Sequence, residues 1–184
     1  MKLILASASP RRKELLAQAG FDFTVEPRNA DESFPSDMNP DEVAEYIANR
    51  KADPFSQDIG DRTILTADTV VIYDGEILGK PRDAQEAAVF LRKLSGSVHK
   101  VVTAVCIMNA SKRTSFSSTS LVHFHTLSDE EIAFYIEKFQ PFDKAGAYGI
   151  QEWIGLTKIA KIEGSYYNIV GLPVDRVYEE LKRL

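Results

Sequence analysis

Residues 62–81, RTILTADTVVIYDGEILGKP, limit the fold before anything else in the chain is read. The run over 63–73 is rich in β-branched residues, Asp74-Gly75 is a two-residue turn signal, and apolar residues resume after Glu76. Such a hairpin requires at least one antiparallel strand pair. A two-residue turn pairs Tyr73 with Glu76, Ile72 with Ile77 and Thr69 with Lys80, which would set Lys80 beside Asp68. Elsewhere strand and helix signals alternate. Strands are expected over 2–6, 98–109, 114–127 and 155–163. Helices are expected over 10–19, after Asn39-Pro40, after Asp83 with Glu86 at capping-box spacing, after Ser128, and over 173–183. This pattern predicts an α/β fold, with a mixed, twisted central sheet, flanking helices and two lobes around a cleft. With no repeat, low-complexity tract or linker, residues 1–184 are expected to form a single domain.

Several function classes are set aside by composition. No run approaches the roughly 18 apolar residues of a membrane span, and the first strand signal follows Met1 too closely for a signal peptide, so a cytoplasmic protein is expected. Cys106 stands alone in VVTAVCIM, which excludes an internal disulfide and reads as a buried thiol. A net charge of −5 argues against nucleic acid or a membrane surface as partner. Against that background, Lys2, Arg11, Arg12 and Lys13 form a local basic cluster with no acid between them. Ser9 and Pro10 open a helix there, and the N-terminal turn of a helix favours anions, so three cations oppose the local field. A small polyanion would remove the conflict. No Walker motif or G-x-G-x-x-G occurs to supply another phosphate cradle.

Four further residues could carry chemistry. Asp68 lies in the alternation Ile64, Thr66, Asp68, Val70, Ile72, where an ionised carboxylate needs a partner, and the register above offers Lys80. Lys80 precedes Pro81 and should be extended. Lys51 continues the row of Val43 and Ile47, although a lysine in a helix's last turn also complements the macrodipole. Glu32, beside Asp31, reads either as a solvated loop acid or as a magnesium ligand. His123 and His125 would share a strand face, but His99 is the only other histidine, so a zinc site would need carboxylates to complete it. No G-x-S-x-G elbow supports a Ser-His-Asp triad.

Taken in order, LILASASPRRKELL, ADTVV, GKPRD, DKAGAYGIQ and GSYYNIVGLP closely resemble the Maf family of nucleoside triphosphate pyrophosphatases, over nearly the whole chain. The resemblance implies an α/β fold related to inosine triphosphate pyrophosphatases, a nucleotide in the cleft, a divalent cation (magnesium or manganese) and a homodimer. Ser7, Arg11 and Arg12 correspond to its phosphate-gripping loop, which would answer the misplaced cations. Lys51 and Lys80 match further phosphate ligands, Glu32 a metal contact, and Asp68 the catalytic carboxylate that acts with the metal to deprotonate an attacking water. Arg12, Thr69 and Gln151 match positions that separate the dTTP/UTP branch from the 7-methyl-GTP branch, and the resemblance favours the former. An amide at Gln151 suits the edge of thymine or uracil. Strict alternation puts Thr69 opposite Asp68, so both line one site only if the strand ends or bulges there.

Rival readings are a 7-methyl-GTP pyrophosphatase, a nucleotide-binding regulator of septum formation without turnover, and an exposed basic recognition segment at SPRRK. Carboxylates beside phosphate-binding lysines count against the regulator.

Overall fold

The computed structural model describes residues 2–184. Among them, seven strands form one mixed sheet in the order β2 (Phe23–Val25), β1 (Lys2–Leu5), β3 (Arg62–Tyr73), β5 (Val98–Met108), β6 (Arg113–Phe124), β7 (Ile159–Glu163), with β4 (Glu76–Leu78) also paired to β3. β1 runs parallel to β2 and β3, whereas β3–β4 and β6–β7 are antiparallel. The helices are α1 (Pro10–Gln18), α2 (Pro40–Ala52), α3 (Ala84–Leu94), α4 (Asp129–Phe139), α5 (Trp153–Thr157), α6 (Tyr166–Val170) and α7 (Val174–Lys182). None is long and apolar enough to cross a membrane.

The hairpin forms as expected at its tip. Asp74 and Gly75 both have positive φ, 50° and 76°, the geometry that lets a two-residue turn follow the twist of its strands, and Tyr73 faces Glu76 and Ile72 faces Ile77. Its register does not run on to Lys80. The ladder ends at Val71–Leu78, and the next carbonyl, of Gly79, accepts a hydrogen bond from the Gly146 N–H at 3.1 Å. Thr69 and Lys80 are therefore not strand partners.

Capping follows the sequence closely. Ser9, Asn39, Asp83 and Ser128 each accept a backbone N–H at the start of a helix, and Ser128 with Glu131 makes a complete capping box. Glu86 departs from that pattern by reaching the N–H of Arg82 at 2.7 Å, one residue before the cap. The strand expected over 155–163 begins only at Ile159, because Trp153–Thr157 is a short helix.

The chain divides into two compact units. The first runs up to Thr69 and adds Thr103–Ser118 and Gly171–Leu184; its core includes Leu3, Leu5, Leu16, Val43, Ile64 and Leu65, all buried. The second comprises Val70–Val102 and Thr119–Val170, with Leu78, Leu91, Leu94, Tyr135 and Ile154 fully enclosed. Cys106 is buried, and burial pushes its thiol pKa up, as suits an inert side chain.

Candidate active site

β3 is buried along both faces from Thr63 to Ala67 and again from Val70 to Ile72. Only Asp68 and Thr69 interrupt the interior, and each anchors a different polar set within the first unit.

Thr69 belongs to the set around Arg12. The helix that begins at Pro10 turns Arg12 inwards, where its Nε donates to the Gly171 carbonyl at 2.8 Å, Nη2 to the Thr69 hydroxyl at 3.0 Å and Nη1 to the Ser7 hydroxyl at 3.4 Å. Thr69 in turn shares a hydrogen bond with Thr103 at 2.9 Å. All three acceptors of the guanidinium are uncharged. Burial lowers the Arg12 pKa, and Asp68 and Glu32 oppose that only through space. Arginine stays protonated even so, which leaves a half-buried positive charge at the start of a helix with no acid in its first turn. Arg11, one residue earlier, adds further positive potential at Arg12. Such a site stabilises an anion by both the helix terminus and the fixed guanidinium fork.

Asp68 belongs to the second set. Its partner is Lys51, at 2.7 Å, rather than the expected Lys80. The row Val43, Ile47, Lys51 on α2 explains this: two buried apolar residues fix the helix against the core and carry the lysine to the strand. Both side chains are largely enclosed, with 13% of Asp68 and 17% of Lys51 exposed. Lys51 also lies 3.3 Å from Glu32, whose loop is tied down by the neighbouring pair Asp31–Arg50 at 3.0 Å. Consecutive loop acids thus meet consecutive bases at the end of α2. The Ser33 hydroxyl and N–H are the main cause of a lowered Asp31 pKa, which keeps that anchor ionised.

The set fits a divalent cation of the magnesium class. Asp68 and Glu32 offer hard oxygen donors that both pair with one positive ammonium, so their surroundings already accommodate positive charge. Among the described residues no group of three or more His, Cys, Asp or Glu could hold a metal, so an ion here would need oxygens from a ligand or water. His123 is hydrogen-bonded to Glu163 at 2.8 Å, and a register shift separates it from Phe124, so the strand face it was expected to share with His125 is broken.

Lys80 and Gln151 belong to the second unit. Both are exposed: Lys80 follows β4, and Gln151 lies in a turn before α5. Thr103 and Gly171, which complete the surroundings of Arg12, were not singled out from the sequence. Gly171 falls in GSYYNIVGLP, a stretch noticed for its family resemblance, whereas nothing marks Thr103 within an apolar strand.

A family model described as "Maf-like protein" matches residues 2–184. The chain belongs to the Maf family. This Maf protein is 51% identical over 98% of its length to a dTTP/UTP pyrophosphatase of Porphyromonas gingivalis, covering 93% of that protein. It is 48% identical over its full length to one from Bacteroides thetaiotaomicron and 44% identical over its full length to one from Bacteroides fragilis, covering 96% of each. Among solved structures, the Staphylococcus aureus Ham1 protein matches with a TM-score of 0.50 and 13% identity, covering 67% of the Maf chain and 72% of the Ham1 chain. That likeness shows the fold alone, the α/β fold expected from the order of its elements.

Proposed function

We propose that this Maf protein is a nucleoside triphosphate pyrophosphatase that hydrolyses dTTP and UTP to the monophosphate and pyrophosphate. The observation that carries the reading is the pair of sets on adjacent β3 positions: a half-buried guanidinium held by uncharged oxygens next to an aspartate held by a lysine. The names of the full-length relatives supply the substrates.

In this reading Ser7, Arg11 and Arg12 grip the phosphates, and Lys51 and Lys80 neutralise them further. Glu32 and Asp68 would hold a magnesium or manganese ion. When bound, that ion supplies charge neutralisation and lowers the pKa of a water. Asp68 accepts the proton of the water that attacks the α-phosphorus. The new bond joins that oxygen to phosphorus while the α–β bridging bond breaks, and pyrophosphate leaves. Lys51 would exchange its carboxylate partners for phosphate oxygens as the substrate enters. Thr69 holds Arg12 in line, and Gln151 hydrogen-bonds the base. The chain would act in the cytoplasm as a single Maf domain and as a homodimer, a state that sedimentation of the purified protein checks.

The test is incubation with magnesium or manganese and, separately, dTTP, UTP, CTP, GTP, ITP and 7-methyl-GTP, with both products identified. Pyrophosphate and monophosphate from dTTP and UTP are expected. Turnover of 7-methyl-GTP alone would reassign the branch, and nucleotide binding without pyrophosphate would favour a regulator.

A further inference from the structure

The residues around Gln151 form a polar network that the chemistry above does not use. Tyr135, fully enclosed on α4, accepts a hydrogen bond from the Gly149 N–H at 2.9 Å and donates one to the Glu152 carboxylate. Glu152 pairs with Lys144 at 3.1 Å, and Lys144 reaches Asp143 at 2.7 Å. The Glu152 N–H closes a four-residue turn on the Gly149 carbonyl at 3.1 Å. Packing there is tight: a Cβ on Gly149 would come within 2.8 Å of the Glu152 carboxyl carbon and 3.0 Å of Lys144 Cε. Ile150 points into the core, which leaves Gln151 as the exposed position of the turn. One hydroxyl therefore clamps the chain on both sides of Gln151. Burial, and next the Glu152 carboxylate, push the Tyr135 pKa up, so the hydroxyl remains a donor.

A side-chain amide presents a donor and an acceptor that exchange places when it flips. Uracil and thymine offer acceptor, donor, acceptor along the edge where cytosine offers donor, acceptor, acceptor, so a freely placed amide serves either. Discrimination has to come from the frame that holds it.

We propose that Tyr135 and Glu152 are positioning residues that hold the turn so that the Gln151 amide reads thymine and uracil and rejects cytosine. This rests on the reading of Gln151 as the group that contacts the base. The experiment compares kcat/KM for dTTP, UTP and CTP in the wild type, Tyr135→Phe, Gln151→Ala and the double variant. Tyr135→Phe is expected to narrow the UTP-to-CTP ratio about tenfold, chiefly through a raised KM for UTP, with kcat little changed. In the Gln151→Ala background the same change should leave the ratio where Gln151→Ala put it. Glu152→Gln, which keeps an acceptor for Tyr135, should retain more of the wild-type ratio than Glu152→Ala.

An unaltered ratio in Tyr135→Phe, or equal narrowing with and without Gln151, would overturn the positioning role while sparing the role of Gln151. An unaltered ratio in Gln151→Ala would overturn the base-reading assignment and this proposal with it. Absence of UTP and dTTP turnover in the wild type would overturn the proposed activity itself. Should Tyr135→Phe fail to fold by circular dichroism, Glu152→Ala, at a partly exposed position, carries the same comparison.

Discussion

Two residues on adjacent strand positions divide the labour proposed for this site, and their substitutions should separate. Asp68→Asn keeps the size of the side chain and a hydrogen-bonding oxygen for Lys51 but removes the base. Turnover of dTTP is expected to fall by about 10²–10⁴-fold, with nucleotide affinity, measured by calorimetry, largely retained. Unchanged turnover would remove Asp68 from the chemistry. Arg12→Ala takes away a fixed guanidinium and also frees the Gly171 carbonyl and the Thr69 hydroxyl. The expected result is weaker triphosphate binding by roughly 10–100-fold, the scale of one lost charged hydrogen-bonding group. Equal affinity for the variant would leave the basic turn of α1 without an explanation.

At the scale of elements, α1 is the informative one, because its first turn contains no acid and its cations work against the local dipole. Lys13→Glu reverses that conflict and lies outside the proposed ligands. It should stabilise the ligand-free protein by about 0.3–1 kcal/mol, read as a higher urea midpoint, while weakening nucleotide binding. A lower midpoint would show that the helix terminus is not under electrostatic tension. The sequence made this helix legible because its signals are local: Ser9, Pro10 and the apolar spacing all fall within one segment. The hairpin tip was legible for the same reason. Lys80 was misplaced because extrapolating a register assumes the ladder continues, and here it stops after three pairs, when Gly79 bonds to Gly146. The partnership of Asp68 with Lys51 joins segments 17 residues apart. The helical row pointed Lys51 inwards without naming what it would meet. Tyr135 was hidden further still, since an aromatic residue on the apolar face of a capped helix reads as core, and its hydroxyl finds its partners only after the chain folds. The five-residue helices α5 and α6 carry too few turns for a periodicity to register.

For the molecule as a whole, acid should act in two stages. Burial pushes the His99 imidazole, which shares a 2.7 Å hydrogen bond with Tyr148, down to about 3 from 6.5. The unfolded chain therefore takes up that proton first. Stability from the neutral ring is complete above about 6.5 and is lost as pH falls towards about 3. Asp58 is held at about 2, below its usual 3.8, mainly by its hydrogen bonds from Arg28 with a smaller share from Arg62, so its contribution is lost only below about 3.8. Denaturant midpoints at pH 7, 5 and 3 should fall in both intervals, and His99→Gln should flatten the first; an equal slope from pH 7 to 5 in the variant would exclude His99 as its source. Lys51 has a consequence of another kind. Because its ammonium pairs with both Asp68 and Glu32, the chain carries an internal counter-ion and should not depend on a bound metal to hold its acids together. A chelator should abolish turnover yet leave the melting temperature where it was, and added magnesium should bind weakly until nucleotide is present. Under the proposed function, the protein would then wait, fully folded, for a substrate that brings its metal with it.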